Sequence, residues 1–427
     1  MGLLIQSGWV ISPEDELDIE ADVLVEDGVI QRIEENISAQ GHEVFDARGQ
    51  IVSPGFIDMH AHLREPGGEI SETLETGLAA AVAGGFTSVC AMPNTHPVND
   101  SPELTRRLIE RAKAIGLARV FPIAAASVRS EGERLTDFHA LAEAGAVAFS
   151  DDGRPLKTAR LMQEALRAAR AIGAPVIDHC EDHSLSAGGA VNEGSVAEQL
   201  GVKGIPNSSE EVCVARDVIL AEATDAHFHI AHLSTAGALD QVRAARRRGA
   251  RVTCEVTPHH FTLADQAVLE HGTQAKMNPP LRGAPDVEAL VAGIADGTVS
   301  AIATDHAPHA PELKQKPLAE APFGIIGLET ALAVALARLV HSEKIPLWHL
   351  ISLMSANPAR IIRKPLGRIV VGGAADITIF DPEFEWTYEA TKGRSKSRNT
   401  PFDGRKFKGA VTATVVAGRI VFRRGAG

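Results

Sequence analysis

The sequence predicts an α/β fold, a (β/α)8 barrel of the TIM type joined to a small β-sandwich domain that both chain ends form. Between residues 55 and 305, eight short apolar runs alternate with segments rich in Ala, Leu, Glu and Arg, and both ends show short strands and turns. Such alternation is typical of a parallel sheet covered by helices, and eight units close a barrel. Side chains that bind metals follow several of the runs, where barrel active sites lie. A doubly wound sheet is the structural alternative.

The two ends of the chain are predicted to form one composite β domain. Asp27-Gly28 is a hairpin signal between two of the N-terminal runs. Each end is too short to build a good core alone, so we predict a β domain from residues 1–53 and 366–427 and a catalytic barrel from residues 54–365. The apolar runs of the two ends are 3–8, 21–25, 28–30, 44–47, 367–370, 375–380, 413–416 and 419–421.

The barrel is predicted from eight strands with helical segments between them. The strands are 55–62, 87–93, 119–127, 146–151, 174–180, 227–233, 251–257 and 299–305. The clearest helical segments are 101–115, 158–171, 209–223 and 236–248. Residues 306–322, rich in Pro, Ala and Lys, are predicted to form a long loop after the eighth strand, where long loops are often functional.

Charge and composition exclude several classes of protein. The 427 residues carry a formal net charge of −13, which disfavours nucleic acid as a partner and offers no polybasic membrane patch. There is no apolar run long enough to span a bilayer and no signal-peptide pattern at the N-terminus. The four cysteines have no CxxC spacing, and we expect them to be buried thiols in a reducing cytoplasm.

His60 and His62 close the first predicted barrel strand. Side chains two residues apart on a strand point the same way, so two imidazoles on one face can bind one metal ion. Four further His or Asp residues close later strands, namely Asp152, His179, His232 and Asp305. Open coordination positions at such a site activate water, so the set indicates a hydrolase.

Strand alternation predicts which candidate faces the barrel interior. Small residues suit the crowded interior, and Ala148 and Ser150 share a face with Asp152, which favours Asp152 over Asp151. The same reasoning groups Ala301 and Ala303 with Asp305. In the sixth strand it groups Phe228 and Ile230 with His232 and places His227 and His229 on the opposite face.

Six ligands exceed the needs of one catalytic zinc, which takes three protein ligands and a water. They suit two metal ions about 3.5–4 Å apart, with a carboxylate between them. Asp152 is the natural bridge. Asp58 is expected either to orient a ligand histidine or to satisfy buried backbone, and His259 and His260 are interpreted as structural.

Several motifs together resemble the longer-class bacterial dihydroorotases of the amidohydrolase superfamily. The segments Phe56–Gly67 and Lys276–Arg282 carry the specific part of the resemblance. The HxH pair alone is a weak signal, because it occurs throughout the superfamily. The resemblance continues through Met92–Thr95, Asp151–Gly153, Asp178–Glu181, Thr257–His260, Ala303–His309, Pro322–Gly324 and Gly327–Thr330, and it covers essentially the whole chain.

The resemblance implies the reversible cyclisation of N-carbamoyl-L-aspartate to dihydroorotate in pyrimidine synthesis, with two Zn²⁺ per subunit. It implies one zinc held by His60, His62 and Asp305, a second held by His179 and His232, and Asp152 as the bridge. Asp305 would also act as the catalytic acid and base. Many superfamily relatives bridge with a carbamylated lysine. No lysine ends the fourth strand here, since Lys157 lies beyond it.

The substrate carries a free carboxylate, which a guanidinium can grip with two parallel hydrogen bonds. Arg64, two residues past His62, is the candidate. Asn94 and His309 would complete this clamp, Asn278 would bind the ring amide, and the backbone at Phe323 and Gly324 would supply further contacts.

Two other functions are weighed against this one. The first is another cyclic amidohydrolase, a dihydropyrimidinase, hydantoinase or allantoinase, which usually needs the absent lysine bridge. The second is a non-catalytic scaffold for aspartate transcarbamoylase, whose known examples have lost metal ligands that this chain retains. A small-molecule substrate is expected, with no nucleic acid or membrane partner; a homodimer and an association with aspartate transcarbamoylase stay open.

Overall fold

The N-terminal strands match the runs predicted from the sequence. The computed structural model describes residues 2–425. Five strands precede the barrel, and the β2–β3 hairpin turns at Asp27 and Gly28, both at positive φ (51° and 77°), as the Asp-Gly signal predicts. They are β1 (Leu3–Ser12), β2 (Leu17–Glu26), β3 (Val29–Glu34), β4 (Glu43–Asp46) and β5 (Ile51–Pro54).

Eight parallel strands then form a barrel, as predicted. They are β6 (Phe56–Ala61), β7 (Phe86–Ala91), β8 (Arg119–Ala124), β9 (Ala148–Phe149), β10 (Val176–Asp178), β13 (Phe228–Ile230), β14 (Val252–Val256) and β15 (Ala301–Ile302). Between β10 and β13 lies a separate two-stranded pair, β11 (Val191–Asn192) and β12 (Gly204–Ile205). Neighbours pair in the order β15-β14-β13-β10-β9-β8-β7-β6, and a bridge between Ala61 and His306 links the two ends of this order.

Helices cover the outside of the barrel. The major ones are α1 (Leu74–Ala83), α2 (Pro102–Ile115), α3 (Phe138–Glu143), α4 (Ala159–Ala171), α5 (His183–Ser186), α6 (Ser195–Leu200), α7 (Asn207–Thr224), α8 (Ala236–Arg247), α9 (Ala267–His271) and α10 (Ala284–Ala295), followed by α11 (Pro311–Lys314), α12 (Ala331–Ala335), α13 (Leu347–Met354) and α14 (Ala356–Ile361). Helices α1, α2, α4 and α8 begin after a Ser or Thr whose side chain accepts a hydrogen bond from the first turn, which explains their sharp starts.

The two chain ends meet in one mixed sheet, which confirms the predicted β domain. The C-terminal strands are β16 (Ile377–Thr387), β17 (Lys406–Val416) and β18 (Arg419–Arg423). The sheet order is β18-β17-β16-β5-β1-β2-β3, with β4 beside β1, so β5 and β16 join the N-terminal and C-terminal halves. Ile5, Val52, Ile377 and Val415 are completely buried in the core of this domain.

One predicted strand of the C-terminal end is absent. Residues 367–370 adopt no strand in the structure. Ile369 is nevertheless completely buried in the core of the β domain, and its backbone N–H donates to Ser12 Oγ at 2.9 Å. The apolar pattern therefore marked a buried loop, because burial alone does not distinguish a packed loop from a strand.

The cysteines are free and buried, as expected for Cys90, Cys180, Cys213 and Cys254. Within the described residues, the helices lack the combination of length and hydropathy that a membrane span requires.

Candidate active site

The carboxyl-terminal ends of the barrel strands converge on one cleft of about 570 Å³. Eleven of the twelve predicted site residues line it: His62, Arg64, Asn94, Asp152, His179, His232, Asn278, Asp305, His309, Phe323 and Gly324. The twelfth, His60, is completely buried and lies against Asp152 and Asp305. The structure therefore brings together every residue that the sequence analysis placed in the site.

His60, His62 and Asp305 form the first group of metal-binding atoms. Asp305 Oδ1 lies 3.1 Å from His62 Nε2 and 3.6 Å from His60 Nε2. A second group combines His179 and His232, whose facing nitrogens, Nδ1 and Nε2, are 3.0 Å apart. Nitrogen and carboxylate oxygen atoms at such separations are typical ligands of a divalent transition metal.

Asp152 lies between the two groups. Its Oδ2 is 3.5 Å from His62 Nε2, whereas its Oδ1 is 3.7 Å from His232 Nε2 and 3.9 Å from His179 Nδ1. The neighbouring Asp151 turns away, because its carboxylate accepts hydrogen bonds from the backbone N–H and the hydroxyl of Ser127. The alternation of the fourth strand therefore placed the correct aspartate in the site.

Buried atoms without hydrogen-bond partners show that this cluster fits a metal centre. His60 Nε2 and Asp152 Oδ1 are both buried, and neither has a partner. Leaving such atoms unpaired is costly unless a cation or a water satisfies them. Burial opposes a charge on His60, yet the carboxylates of Asp152 and Asp305 raise its pKa well above the ordinary value. The cluster thus attracts positive charge at the point where the ligand atoms meet.

The histidine tautomers leave the cleft-facing nitrogens free to bind. His60 Nδ1 donates to Glu255 Oε1 at 2.9 Å, His62 Nδ1 donates to Asn94 Oδ1 at 2.9 Å, and His179 Nε2 donates to Glu181 Oε2 at 3.0 Å. A donating nitrogen fixes the proton on one side of each ring, so in the neutral ring that binds a metal the other nitrogen keeps its lone pair. We assign the tautomers from these partners.

Glu255 and Glu181, which orient these histidines, were not predicted as site residues from the sequence. Glu255 is completely buried in the barrel interior, and its second oxygen accepts from His229 Nε2 at 3.2 Å. Burial would raise the pKa of Glu255, but the hydrogen bonds from His229 and His60 outweigh it and lower the pKa to about 2. The only available signal was their position, since Glu255 is inside the seventh strand and Glu181 follows His179 by two residues.

Asp58 satisfies buried backbone and does not orient a ligand imidazole. Its Oδ1 accepts from the backbone N–H groups of His60 and Thr304, and its Oδ2 accepts from Thr304 Oγ1. Of the two roles expected for Asp58, the structure supports the second. Glu255 performs the orienting role.

The predicted orientation of the sixth strand is wrong. Phe228 and Ile230 pack outside the barrel against the helices, while His229 points inward to Glu255. His232 reaches the cleft because its backbone leaves the extended conformation, with φ of 31°. Strict alternation therefore does not extend past the end of this short strand.

Arg64 and His309 lie side by side in the cleft. Arg64 Nε donates to Pro308 O at 3.1 Å, and its Nη2 lies 3.4 Å from His309 Nε2. Burial lowers the pKa of Arg64 to about 10, and burial with the nearby Arg64 charge lowers that of His309 to about 3. At neutral pH the pair is thus one cation beside one neutral imidazole, which suits an anionic group.

Asn94 and Asn278 lie closer to the metal ligands than to Arg64. Besides accepting from His62, Asn94 donates to Asp152 Oδ2 at 3.3 Å. Asn278 Nδ2 donates to Glu181 Oε2 at 2.9 Å and lies 3.3 Å from His179 Nε2. Both amides therefore connect the ligand cluster to the walls of the cleft.

The loop after the eighth strand closes one wall. His309 Nε2 donates to Phe323 O at 2.6 Å. The buried Lys314 ammonium donates to Pro322 O at 3.0 Å and to Gly324 O at 2.9 Å. Burial, with the nearby Lys276 charge, lowers the pKa of Lys314 to about 7. These bonds give the predicted long loop a fixed path beside Arg64.

His259 and His260 lie beneath the cleft. His260 Nε2 donates to Pro279 O at 2.9 Å and its Nδ1 contacts Thr257 Oγ1 at 2.8 Å, which agrees with a structural role. Burial lowers the pKa of His259 to about 4.

A second cluster of metal-binding side chains lies behind β10. It contains Asp178, Cys180, Cys213 and Asp217, all buried. Arg216 donates to both oxygens of Asp217, at 2.7 and 2.9 Å, and therefore supplies the positive charge that this acidic group needs. We assign the cluster to the packing of α7 on the barrel.

Known proteins are similar to this chain in sequence. Residues 49–238 match a family described as dihydro-orotase-like. The chain is 51% identical to the dihydroorotase of Pelobacter propionicus, with 99% of this chain and 100% of that protein covered. It is 49% identical to the dihydroorotase of Solibacter usitatus, with 99% of each covered.

Solved structures share the fold of the whole chain. The L-hydantoinase of Arthrobacter aurescens superposes with a TM-score of 0.89 at 23% identity, covering 100% of this chain and 97% of that one. The D-hydantoinase of a Thermus species superposes with a TM-score of 0.84 at 26% identity, covering 99% and 95%.

Proposed function

Since this chain belongs to the dihydroorotase family, we propose that it catalyses the reversible cyclisation of N-carbamoyl-L-aspartate to dihydroorotate, with its cleft residues in defined roles. The observation that carries the proposal is the placement of a guanidinium, Arg64, in the same cleft as five metal-binding side chains, with a sixth, His60, buried against two of them. Dihydroorotate combines a cyclic amide, which needs an activated water, with a carboxylate, which needs a fixed cation. The cleft offers both.

Two zinc ions are the proposed cofactors. His60, His62 and Asp305 would hold one, His179 and His232 the other, and Asp152, which contacts both groups, would be the shared ligand. The unpaired His60 Nε2 and Asp152 Oδ1 support this assignment. When bound, such ions supply Lewis acidity, which lowers the pKa of a water molecule and polarises a carbonyl oxygen.

Asp305 is the proposed acid and base. In the hydrolytic direction its carboxylate takes the proton from the attacking water and passes it to the leaving ring nitrogen. In the direction of cyclisation, the same carboxylate moves the proton the opposite way. Burial would raise the pKa of Asp305, but the contact with His62 and the charge of His60 hold it below the ordinary value. The group therefore starts as a carboxylate, ready to accept.

The substrate carboxylate is proposed to bind to Arg64, next to His309. Arg64 supplies the charge, and its fork can donate two hydrogen bonds to one carboxylate. Asn94 would complete this clamp from its place in the same cleft, Asn278 would accept from or donate to the ring amide, and the backbone of Phe323 and Gly324 would supply further contacts. The fixed positions of these groups support recognition of one particular ring with one particular substituent.

A turnover panel tests the function. Purified enzyme loaded with zinc should turn over dihydroorotate faster than dihydrouracil, hydantoin and allantoin, with about two zinc equivalents per chain by elemental analysis. A preference for dihydrouracil or hydantoin would instead assign the chain to the other cyclic amidohydrolases. A protein without metal and without turnover of any of the four would favour the scaffold.

Location, domains and assembly complete the proposal. We place the enzyme in the cytoplasm, where four free buried thiols are stable. We divide the chain into a β domain of residues 1–53 and 366–427 and a barrel of residues 54–365. A homodimer and a complex with aspartate transcarbamoylase are the assemblies to test, by light scattering of the chain alone and with the transcarbamoylase.

A further inference from the structure

A segment of the β domain reaches into the mouth of the barrel. The link between β16 and β17 passes through Ser395, Ser397 and Asn399, which are between 1% and 3% exposed. Ser395 Oγ donates to Glu72, Ser397 Oγ donates to Ser71 O at 2.6 Å, and Asn399 O accepts from Ile326 N at 2.9 Å. We call residues 395–399 the crossing segment. Its partners all belong to the loops that border the cleft.

The Asn399 side chain makes three hydrogen bonds to one loop. Nδ2 donates to Ala307 O and to Gly324 O, both at 3.0 Å, and Oδ1 accepts from the backbone N–H of His309 at 3.1 Å. Both protons of the amide and its oxygen are therefore used. A buried amide that is fully paired fixes the relative positions of its partners, because breaking any bond leaves a buried polar group unpaired.

These three bonds hold the part of the cleft wall that contacts Arg64. His309 and Gly324 come from the start and the end of the loop after the eighth strand, and Asn399 holds both. His309 in turn donates to Phe323 O and lies 3.4 Å from Arg64. The position of this wall beside Arg64 thus depends on Asn399, a residue that does not line the cleft.

We propose that Asn399 is a positioning residue that determines specificity for a ring bearing a carboxylate. It does so by fixing His309 and Gly324 beside Arg64, in the part of the cleft wall that a carboxylate bound to Arg64 would contact. This inference rests on the proposed function, because the carboxylate pocket is part of it.

The chemistry of the contact requires an amide at this position. Asn399→Asp keeps the size and the acceptor for His309 N–H, but it replaces the donor by an oxygen that faces two carbonyl oxygens. The backbone carbonyls of Ala307 and Gly324 must then move away from residue 399, because they repel the carboxylate. Asn399→Ser removes the reach to all three partners without adding a charge, and it serves as the second variant.

Asn357 offers a matched control. Its Nδ2 donates to Ser300 O at 2.9 Å, so it is also an asparagine that bonds a backbone carbonyl. It lies in α14, beside the amino-terminal end of β15, and is therefore at the opposite end of that strand from Asp305. Asn357→Asp loses the same kind of bond without touching the cleft loop.

The experiment measures kcat and KM for dihydroorotate and dihydrouracil, with zinc content, in the wild type and the three variants. We expect Asn399→Asp and Asn399→Ser to raise KM for dihydroorotate at least tenfold, with kcat changed less than threefold. Activity on dihydrouracil and zinc content should stay at the wild-type level, so the preference for dihydroorotate falls about tenfold. Asn357→Asp should keep the full preference.

Equal losses on both substrates, or an unchanged preference in either Asn399 variant, would overturn the inference. Failure of the wild type to turn over dihydroorotate would refute the proposed function itself. The wild type therefore tests the proposed function, and the Asn399 variants test the inference, in the same assay.

Discussion

At the scale of single residues, the site depends on side chains held in unusual backbone conformations. Arg64, His232 and Asp305 all have positive φ, at 60°, 31° and 46°. Such conformations cost a non-glycine residue of order 1–3 kcal/mol, and they persist where the surrounding structure requires them. Here they turn three functional side chains into the same cleft from the ends of strands that would otherwise direct them elsewhere.

Asp305→Asn should abolish turnover while the fold persists. Asparagine keeps the shape of the side chain but cannot accept and return the proton. General acid and base catalysis normally contributes a factor of roughly 10²–10⁴, so steady-state kinetics should show far less than a tenth of the wild-type rate. Circular dichroism and zinc analysis serve as controls. A folded variant that retains more than a tenth of the rate contradicts the role.

Arg64→Met should impair dihydroorotate selectively. Methionine keeps an aliphatic stem but loses charge-assisted hydrogen bonds that are each worth roughly 1.5–3 kcal/mol. Loss of two such bonds lowers kcat/KM for dihydroorotate by a factor on the order of 10²–10⁴. Kinetics on dihydroorotate and dihydrouracil, with zinc analysis, check the result. Activity that falls only in proportion to lost zinc would exclude Arg64 as the carboxylate partner.

Residue chemistry explains which parts of the site were predictable. His60, His62, Arg64 and Asp305 stand out in sequence because reactive side chains end apolar strands. Glu255 and Asn399 do not, since each acts through a partner far along the chain, and only the fold shows that partner. The sequence limited Asp58 to two roles but could not decide between them, because both are compatible with a carboxylate inside a buried strand.

At the scale of elements, short barrel strands decide which side chains reach the cleft. In the fourth strand, alternation extends through Ser150 to Asp152 and gives the correct prediction. In the sixth, the backbone turns at His232, so the inference from Phe228 and Ile230 fails. The period of two is a property of extended chain and holds only where the chain stays extended.

The two adjacent aspartates of the fourth strand give an element-level test. Asp152→Ala should reduce bound zinc below two equivalents per chain and remove turnover, because it deletes the oxygen atoms that lie between the two ligand groups. Asp151→Ala should keep the zinc and most of the activity. It should lower the melting temperature, since Ser127 N and Oγ lose their buried acceptor.

Elemental analysis and thermal unfolding of the same preparations distinguish the two variants. Full zinc content in Asp152→Ala, or loss of zinc in Asp151→Ala, would reverse the assignment of the two carboxylates.

At the scale of the whole molecule, the barrel interior holds neutral histidines that resist protonation. Burial, with a smaller contribution from His229, lowers the pKa of His227 to about 3. His227 Nε2 donates to Thr253 Oγ1 at 2.8 Å. In the unfolded chain, His227 would bind a proton as the pH falls below about 6.5. In the folded chain, the same imidazole stays neutral until about pH 3. Protonation therefore favours the unfolded state increasingly as the pH falls through this window.

His227→Gln should weaken this acid sensitivity. One proton of difference is worth about 1.4 kcal/mol per pH unit. Between pH 6 and pH 4.5, the variant should thus lose about 2 kcal/mol less of its free energy of unfolding than the wild type. Urea unfolding at both pH values measures this. His139→Gln, whose side chain is 72% exposed, is the surface control. Identical pH slopes in wild type and His227→Gln would contradict the prediction.

The architecture itself was predictable, because eight repeats of strand and helix leave few alternatives. The missing strand at 367–370 and the reach of residues 395–399 into the barrel were not. Both depend on how the β domain packs against loops that lie far away in sequence, and no local pattern encodes such packing.

The crossing segment also sets an order of events during synthesis. Every metal-binding side chain of the cleft leaves the ribosome before Ser395–Asn399. Arg64, His309 and Gly324 are also made before it, so the groups proposed to bind the substrate carboxylate all exist before the residue that holds their loop in place. The last contacts of the cleft wall, from Asn399 to Ala307, His309 and Gly324, can form only when the C-terminal strands of the β domain follow.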